Sequence, residues 1–65
     1  MHAYFTTDNG TVVIRMRAEG DGVLGDLVAE IDEGESFAGI SFVDLARVGA
    51  GKIAFGEDGR GAIVV

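Results

Sequence analysis

Eleven glycines and no proline divide the 65-residue chain into short, β-branched apolar runs. Each run is four to eight residues long and stops at a glycine-bearing turn, a pattern that favours strands over helices. His2 to Thr7 is the first expected strand. Asp8-Asn9-Gly10 follows as a turn, because Asn-Gly supplies the positive φ angles of a tight hairpin. Thr11 to Ala18 alternates most clearly, with Val12, Ile14, Met16 and Ala18 on one face and Val13, Arg15 and Arg17 on the other. Glu19 to Gly22 forms the next turn. Leu24 to Asp32 is the third strand, with Leu27, Ala29 and Ile31 opposed to Asp26, Val28 and Glu30.

After a turn at Glu33-Gly34-Glu35, the same logic predicts a fourth strand over Ser36 to Val43. Ala38, Ile40 and Phe42 would form one of its faces, and Phe37, Gly39, Ser41 and Val43 the other. Both faces are then half apolar, so one needs cover from outside the monomer. Asp44 to Val48 reads as one helical turn N-capped by Asp44 and ended by Gly49-Ala50-Gly51. Lys52 to Phe55 and Ala62 to Val65 close the chain as a last hairpin. The expected fold is all-β: one small domain over 1–65, an antiparallel meander of about six strands with at most one helical turn.

A chain this short buries only about 60% of the surface that its unfolded form exposes. Small domains commonly add a disulfide, a metal or a partner subunit. Cysteine is absent and His2 is the only histidine, which excludes a disulfide, a thiolate site and a multi-histidine zinc site. Self-association remains, and a homodimer is expected, with Phe37, Val43, Val64 and Val65 at its interface.

Eleven acids against five Lys and Arg give a net charge of −6. That balance disfavours direct nucleic-acid binding and an anionic membrane surface. No apolar run reaches the roughly 18–20 residues of a membrane span, and the first ten residues lack a signal peptide's basic start and apolar block. The cytoplasm is the expected location. Seven of the acids (Glu19, Asp21, Asp26, Glu30, Asp32, Glu33 and Glu35) fall in one stretch without a basic residue, leaving +1 for the remainder. Such a stretch suits a solvated strand face, and equally a patch that meets a basic partner.

Catalytic patterns are missing. Gly49-Ala50-Gly51-Lys52 lacks the first glycine and the closing Ser or Thr of a phosphate loop. The acidic segment does not keep the ligand spacing of a calcium loop. Ser36 and Ser41 have no histidine nearby to act as a base. No catalytic residue, metal or cofactor is expected. Arg15 and Arg17 share a strand face that Asp26 and Glu30 could oppose as cross-strand ion pairs. Alternatively, Arg15 and Arg17 could join Arg60 or Lys52 in an anion clamp; the aromatics that could stack a base are few (Tyr4, Phe5, Phe37, Phe42 and Phe55), and most of them belong in the core.

Residues 4–46 resemble a family of short bacterial and phage domains of unknown function. Its members read roughly Y-D-x-x-x-D-A-L-Y-I-R, an acidic strand, then D-x-D-G-x-x-V-G-I-E-I-L-D-A-S. The first block is similar to Tyr4-Phe5 through Thr11-Val12-Val13-Ile14-Arg15. The second is similar to Ile31-Asp32-Glu33-Gly34 and Phe37-Ala38-Gly39-Ile40-Ser41-Phe42-Val43-Asp44-Leu45-Ala46. Ser41 stands where the family has an acid, the middle is shorter, and residues 50–65 lie outside the pattern. The resemblance implies a small β-rich fold and brings no activity with it.

Three functions suit these features. The first is a non-enzymatic interaction module, such as a small phage or bacterial inhibitor, that docks Asp21, Asp26, Glu30, Asp32, Glu33 and Glu35 on a basic protein surface. The second is an oligomeric sponge or sensor that holds a small anion or nucleotide through Arg15, Arg17 and Arg60 at a subunit interface. The third is a structural subunit that joins a larger assembly by strand pairing.

Overall fold

The computed structural model describes residues 2–20, 23–57 and 61–65, with side chains described throughout these except at 18–20, 23 and 24. Strands β1 (His2–Asp8), β2 (Thr11–Gly20) and β3 (Val23–Asp32) form two successive antiparallel hairpins. Asn9 and Gly10 make the first turn with φ of 46° and 81°, as an Asn-Gly hairpin requires. Two short strands follow, β4 (Ser36–Phe37) and β5 (Ile40–Ser41), then helix α1 (Phe42–Val48), β6 (Ala50–Phe55) and β7 (Ala62–Val64). The main sheet has the order β3-β2-β1-β6-β7, and β4-β5 is a separate small hairpin. The fold is therefore mainly β and antiparallel, with one short helix. The path departs from a simple meander, because β6 pairs with β1 rather than with its predecessor.

The expected strand over Ser36 to Val43 is not formed. Ala38 (φ 52°) and Gly39 (φ 83°) turn the chain after two residues, and Phe37 pairs with Ile40. The helix begins six residues beyond the start of that segment, at Phe42. The N-cap is Ser41, not Asp44. Ser41 Oγ accepts from the Asp44 backbone N–H at 3.2 Å and donates to Asp44 Oδ2 at 2.8 Å. Arg47 Nη2 donates to Asp44 Oδ1 at 3.1 Å. Ser41 caps because it is the extended residue just before the first helical one, while Asp44 places its charge in the first turn, where the helix dipole favours it. At the other end Gly49 (φ 87°) alone ends the helix, its N–H donating to the Leu45 carbonyl, and Ala50 and Gly51 already belong to β6.

A seven-residue helix is marginal alone and is held by packing. Phe42 and Leu45 press it onto one face of the sheet, against Ala3, Phe5, Val12, Ile14, Ile31 and Ile53. All the buried side chains among the described residues are apolar. Met16, Phe37, Ile40, Ala46, Phe55, Ala62 and Val64 surround this core, with the Phe37 ring edge-on to Phe55 at 6.1 Å. Thr7 ties the helix exit to β1, as both its backbone N–H (2.9 Å) and its Oγ1 (3.0 Å) donate to the Gly49 carbonyl. Gly51 faces Phe5 across the β1–β6 pair, where a Cβ would lie 3.1 Å from the Phe5 ring. The bare glycine is what admits that ring.

Candidate functional site

Helix α1 covers one face of the sheet and leaves the other open. Alternation along each strand decides which residues stand on the open face. From β1 come His2, Tyr4 and Thr6; from β2, Val13, Arg15 and Arg17; from β3, Asp26, Val28, Glu30 and Asp32; from β6, Lys52 and Ala54; from β7, Ile63. Their neighbours in sequence (Phe5, Val12, Ile14, Ile31, Ile53) are buried on the covered side.

The registers arrange the open-face charges in rows. One row runs Val28, Arg15, Tyr4, Lys52 across four strands. Tyr4 thus has a cation on either side, with the two cationic backbones two strand spacings apart, about 9–10 Å. Tyr4 is 52% exposed. Beside it, Tyr4, Thr6, Val13 and Arg15 line a shallow recess of about 240 Å³. The next row places Arg17 opposite Asp26, and their side chains form an exposed ion pair at 3.5 Å. Glu30 lies opposite Val13 and Asp32 opposite Thr11. Of the two cross-strand pairs expected, Arg17–Asp26 is therefore formed, whereas Arg15 faces Val28 and Glu30 faces no base.

The acidic candidates are gathered along one margin. Asp26, Glu30 and Asp32 repeat every second or fourth residue of β3, which puts them on one face of the sheet's outermost strand. Glu33 and Glu35 continue them through the turn, closed by the Glu35 N–H donating to the Asp32 carbonyl at 3.0 Å. All five are exposed. Asp21 and Arg60 lie outside the described residues. The position of Lys52 in the arginine row depends on β6 joining β1, a long-range pairing that strand-by-strand reading does not reveal.

The four interface candidates divide. Phe37 is half-buried against Phe55 inside the monomer, and Val43 is exposed on the outer side of α1. Val64 packs against the core from β7, whereas Val65 is exposed at the open face. The argument for a dimer from a two-sided apolar strand at Ser36 to Val43 falls with that strand. Among the described residues no three His, Cys, Asp or Glu side chains come together to hold a metal ion. No described helix is long and apolar enough to cross a membrane.

No protein family, curated protein or solved structure matches the chain.

Proposed function

We propose that the chain is a non-enzymatic interaction module that docks its acidic β3 margin on a basic surface of a larger protein. The observation that carries this is the alignment of Asp26, Glu30 and Asp32 on one face of an edge strand, extended by Glu33 and Glu35. Four of these carboxylates have no basic residue facing them in register, and only Asp26 has a cationic partner, Arg17, among the described residues. An exposed row of like charge accelerates encounter with a surface of opposite charge and fixes its orientation. The resemblance of residues 4–46 to short bacterial and phage domains, and the inhibitor role, belong to this proposal as its biological setting.

The test is a pull-down from host lysate with the wild-type chain and with the double variant Glu30→Lys/Asp32→Lys, eluted by a salt gradient. A partner that wild type retains, salt releases, and the double variant fails to retain supports the proposal. Equal retention by both chains at every salt concentration rejects it.

A second function is favoured by the Arg15–Tyr4–Lys52 row, which presents two cations around an exposed aromatic ring. That arrangement suits a small anion that carries a planar ring, such as a nucleotide, with its base stacking on Tyr4 and the cations meeting phosphate. A rise in melting temperature with millimolar nucleotide, lost in Arg15→Gln, would favour this site over the acidic margin.

A further inference from the structure

The sheet has two edges of opposite character. β3 is long and lined by carboxylates, whereas β7 is three residues long and residues 61–65 have no charged side chain. The backbone of β7 is already committed on one side. The Val65 N–H donates to the Lys52 carbonyl at 2.8 Å, and the Gly61 carbonyl accepts from the Gly56 N–H at 3.1 Å. Hydrogen-bonding direction alternates along a strand, so residues 61, 63 and 65 face β6. Ala62 and Val64 therefore point their N–H and C=O groups outward, and among the described residues no strand lies beyond them.

We infer that β7 is the interface for a second copy of this chain, paired antiparallel to itself about a two-fold axis at Ile63. In that register Ala62 of one copy opposes Val64 of the other, and the four outward N–H and four outward C=O groups of the two strands close four hydrogen bonds. Ile63 meets its own symmetry mate as a non-hydrogen-bonded pair, with Cα atoms about 4.5 Å apart. Ile63 is 63% exposed and Val65 60% exposed in the monomer. Val65 of one copy falls opposite Gly61 of the other, where a Cβ would meet nothing within 4 Å. Beside Gly61 an apolar hollow of about 380 Å³ is lined by Ala54, Phe55, Gly56, Gly61, Ala62 and Ile63. The exposed valine thus has a recess to enter.

Charge selects this edge over the other. Two chains at −6 repel, and the repulsion is least where neither carries an acid. Self-pairing of β3 about Val28 would set Asp26 against Glu30 of the second copy, like charge against like. Pairing β3 of one copy with β7 of the next would leave a free edge at each end and propagate into filaments. The β7 pairing closes at two copies, doubles the five-stranded sheet, and keeps both helices on the same side. The contact is small, so the dimer is concentration-dependent. It leaves the acidic margin at the two outer ends and stands whether or not the proposed docking of β3 is correct.

The test combines sedimentation with cross-linking. Wild type should pass from monomer to dimer with rising concentration and go no further. Val64→Pro deletes an outward N–H without touching a β6 bond, and should weaken the dimer at least tenfold. Val64 also packs against the core, so Ile63→Lys, at an exposed position, serves as the second variant and should do the same. The chain has no cysteine, so Ile63→Cys should oxidise to a disulfide-linked dimer, the spacing lying within disulfide range, while Leu27→Cys, equally exposed on β3, should not. A wild-type monomer at millimolar concentration, growth beyond the dimer, a dimer indifferent to both β7 variants, or equal cross-linking at positions 27 and 63 would each overturn the inference.

Discussion

The two faces of one sheet are made by the same strands and have opposite roles. On the covered face, Phe5, Val12, Ile14 and Ile53 are essentially excluded from water beneath Leu45. On the open face, one residue away along each strand, stand Tyr4, Val13, Arg15 and Lys52, half-buried or exposed. The covered face holds the fold; the open face carries Arg15, Arg17, Lys52, Asp26, Glu30 and Asp32. Alternation lets a chain of 65 residues keep its packed side chains and these charges on opposite faces of the same strands. The separation has a limit on the covered side: along β3, Ile31 is buried and Ala29 half-buried, but Leu27 is 60% exposed, because the helix does not reach that far.

Removing the cover from the sheet should have the largest effect. Leu45→Ala empties the fully buried contact between α1 and the sheet, and similar truncations cost about 2–5 kcal/mol. In a domain this small that is a large share of the total stability. Urea denaturation of Leu45→Ala should show a midpoint far below wild type, or no folded baseline. A loss under about 1 kcal/mol would mean that α1 does not hold the sheet.

Gly51→Ala tests the same face more gently. The added methyl would sit 3.1 and 3.2 Å from two Phe5 ring carbons, so the ring must shift by a few tenths of an ångström. Overpacking of this kind costs about 1–3 kcal/mol. Thermal unfolding should show a lower melting temperature with an unchanged strand signal in circular dichroism. If Gly51→Ala instead matches wild type, the Phe5 ring has room that the packing against β6 does not indicate.

The covered face and a helical turn over Asp44 to Val48 were legible in the sequence; the start of the helix at Phe42 was not, for a definite reason. In β2 every second residue from Val12 to Ala18 is apolar, and in β3 from Leu27 to Ile31, so strand and face follow from period alone. Ser36 to Val43 also alternates apolar and small residues, but its alternation is coincidental. The turn that breaks it is Ala38-Gly39, which uses the same pair of positive φ angles as Asn9-Gly10. Asparagine announces that conformation because its side chain tolerates it; alanine does not, and adopts it here at some steric cost. The available signal was Ser41 followed by Asp44, a cap three residues before an acid, which marks a helix start earlier than Asp44 itself. Candidate charges on the open face were readable as single residues. Their rows were not, because the Arg15–Tyr4–Lys52 row requires β6 to cross over to β1, and nothing local in Lys52 to Phe55 encodes that choice of neighbour.

The smallest expected effect lies on the open face. Arg17 and Asp26 form its one described cross-strand ion pair, at 3.5 Å, with both side chains largely in solvent. Water screens the attraction, and ordering two side chains offsets part of it, so exposed pairs of this kind contribute about 0.2–1 kcal/mol at most. A double-mutant cycle of Arg17→Gln and Asp26→Asn, read by urea denaturation, should give a coupling within that range and falling with added salt. Each single variant should stay close to wild-type stability. Arg17→Gln should leave the folded state intact even where Leu45→Ala abolishes it, although Arg17 on β2 and the helix that Leu45 anchors meet the same sheet. A coupling above about 2 kcal/mol would show the open face sharing in the work of folding. The division between a packed face that holds the fold and a charged face that does not would then fail at the β2–β3 pair.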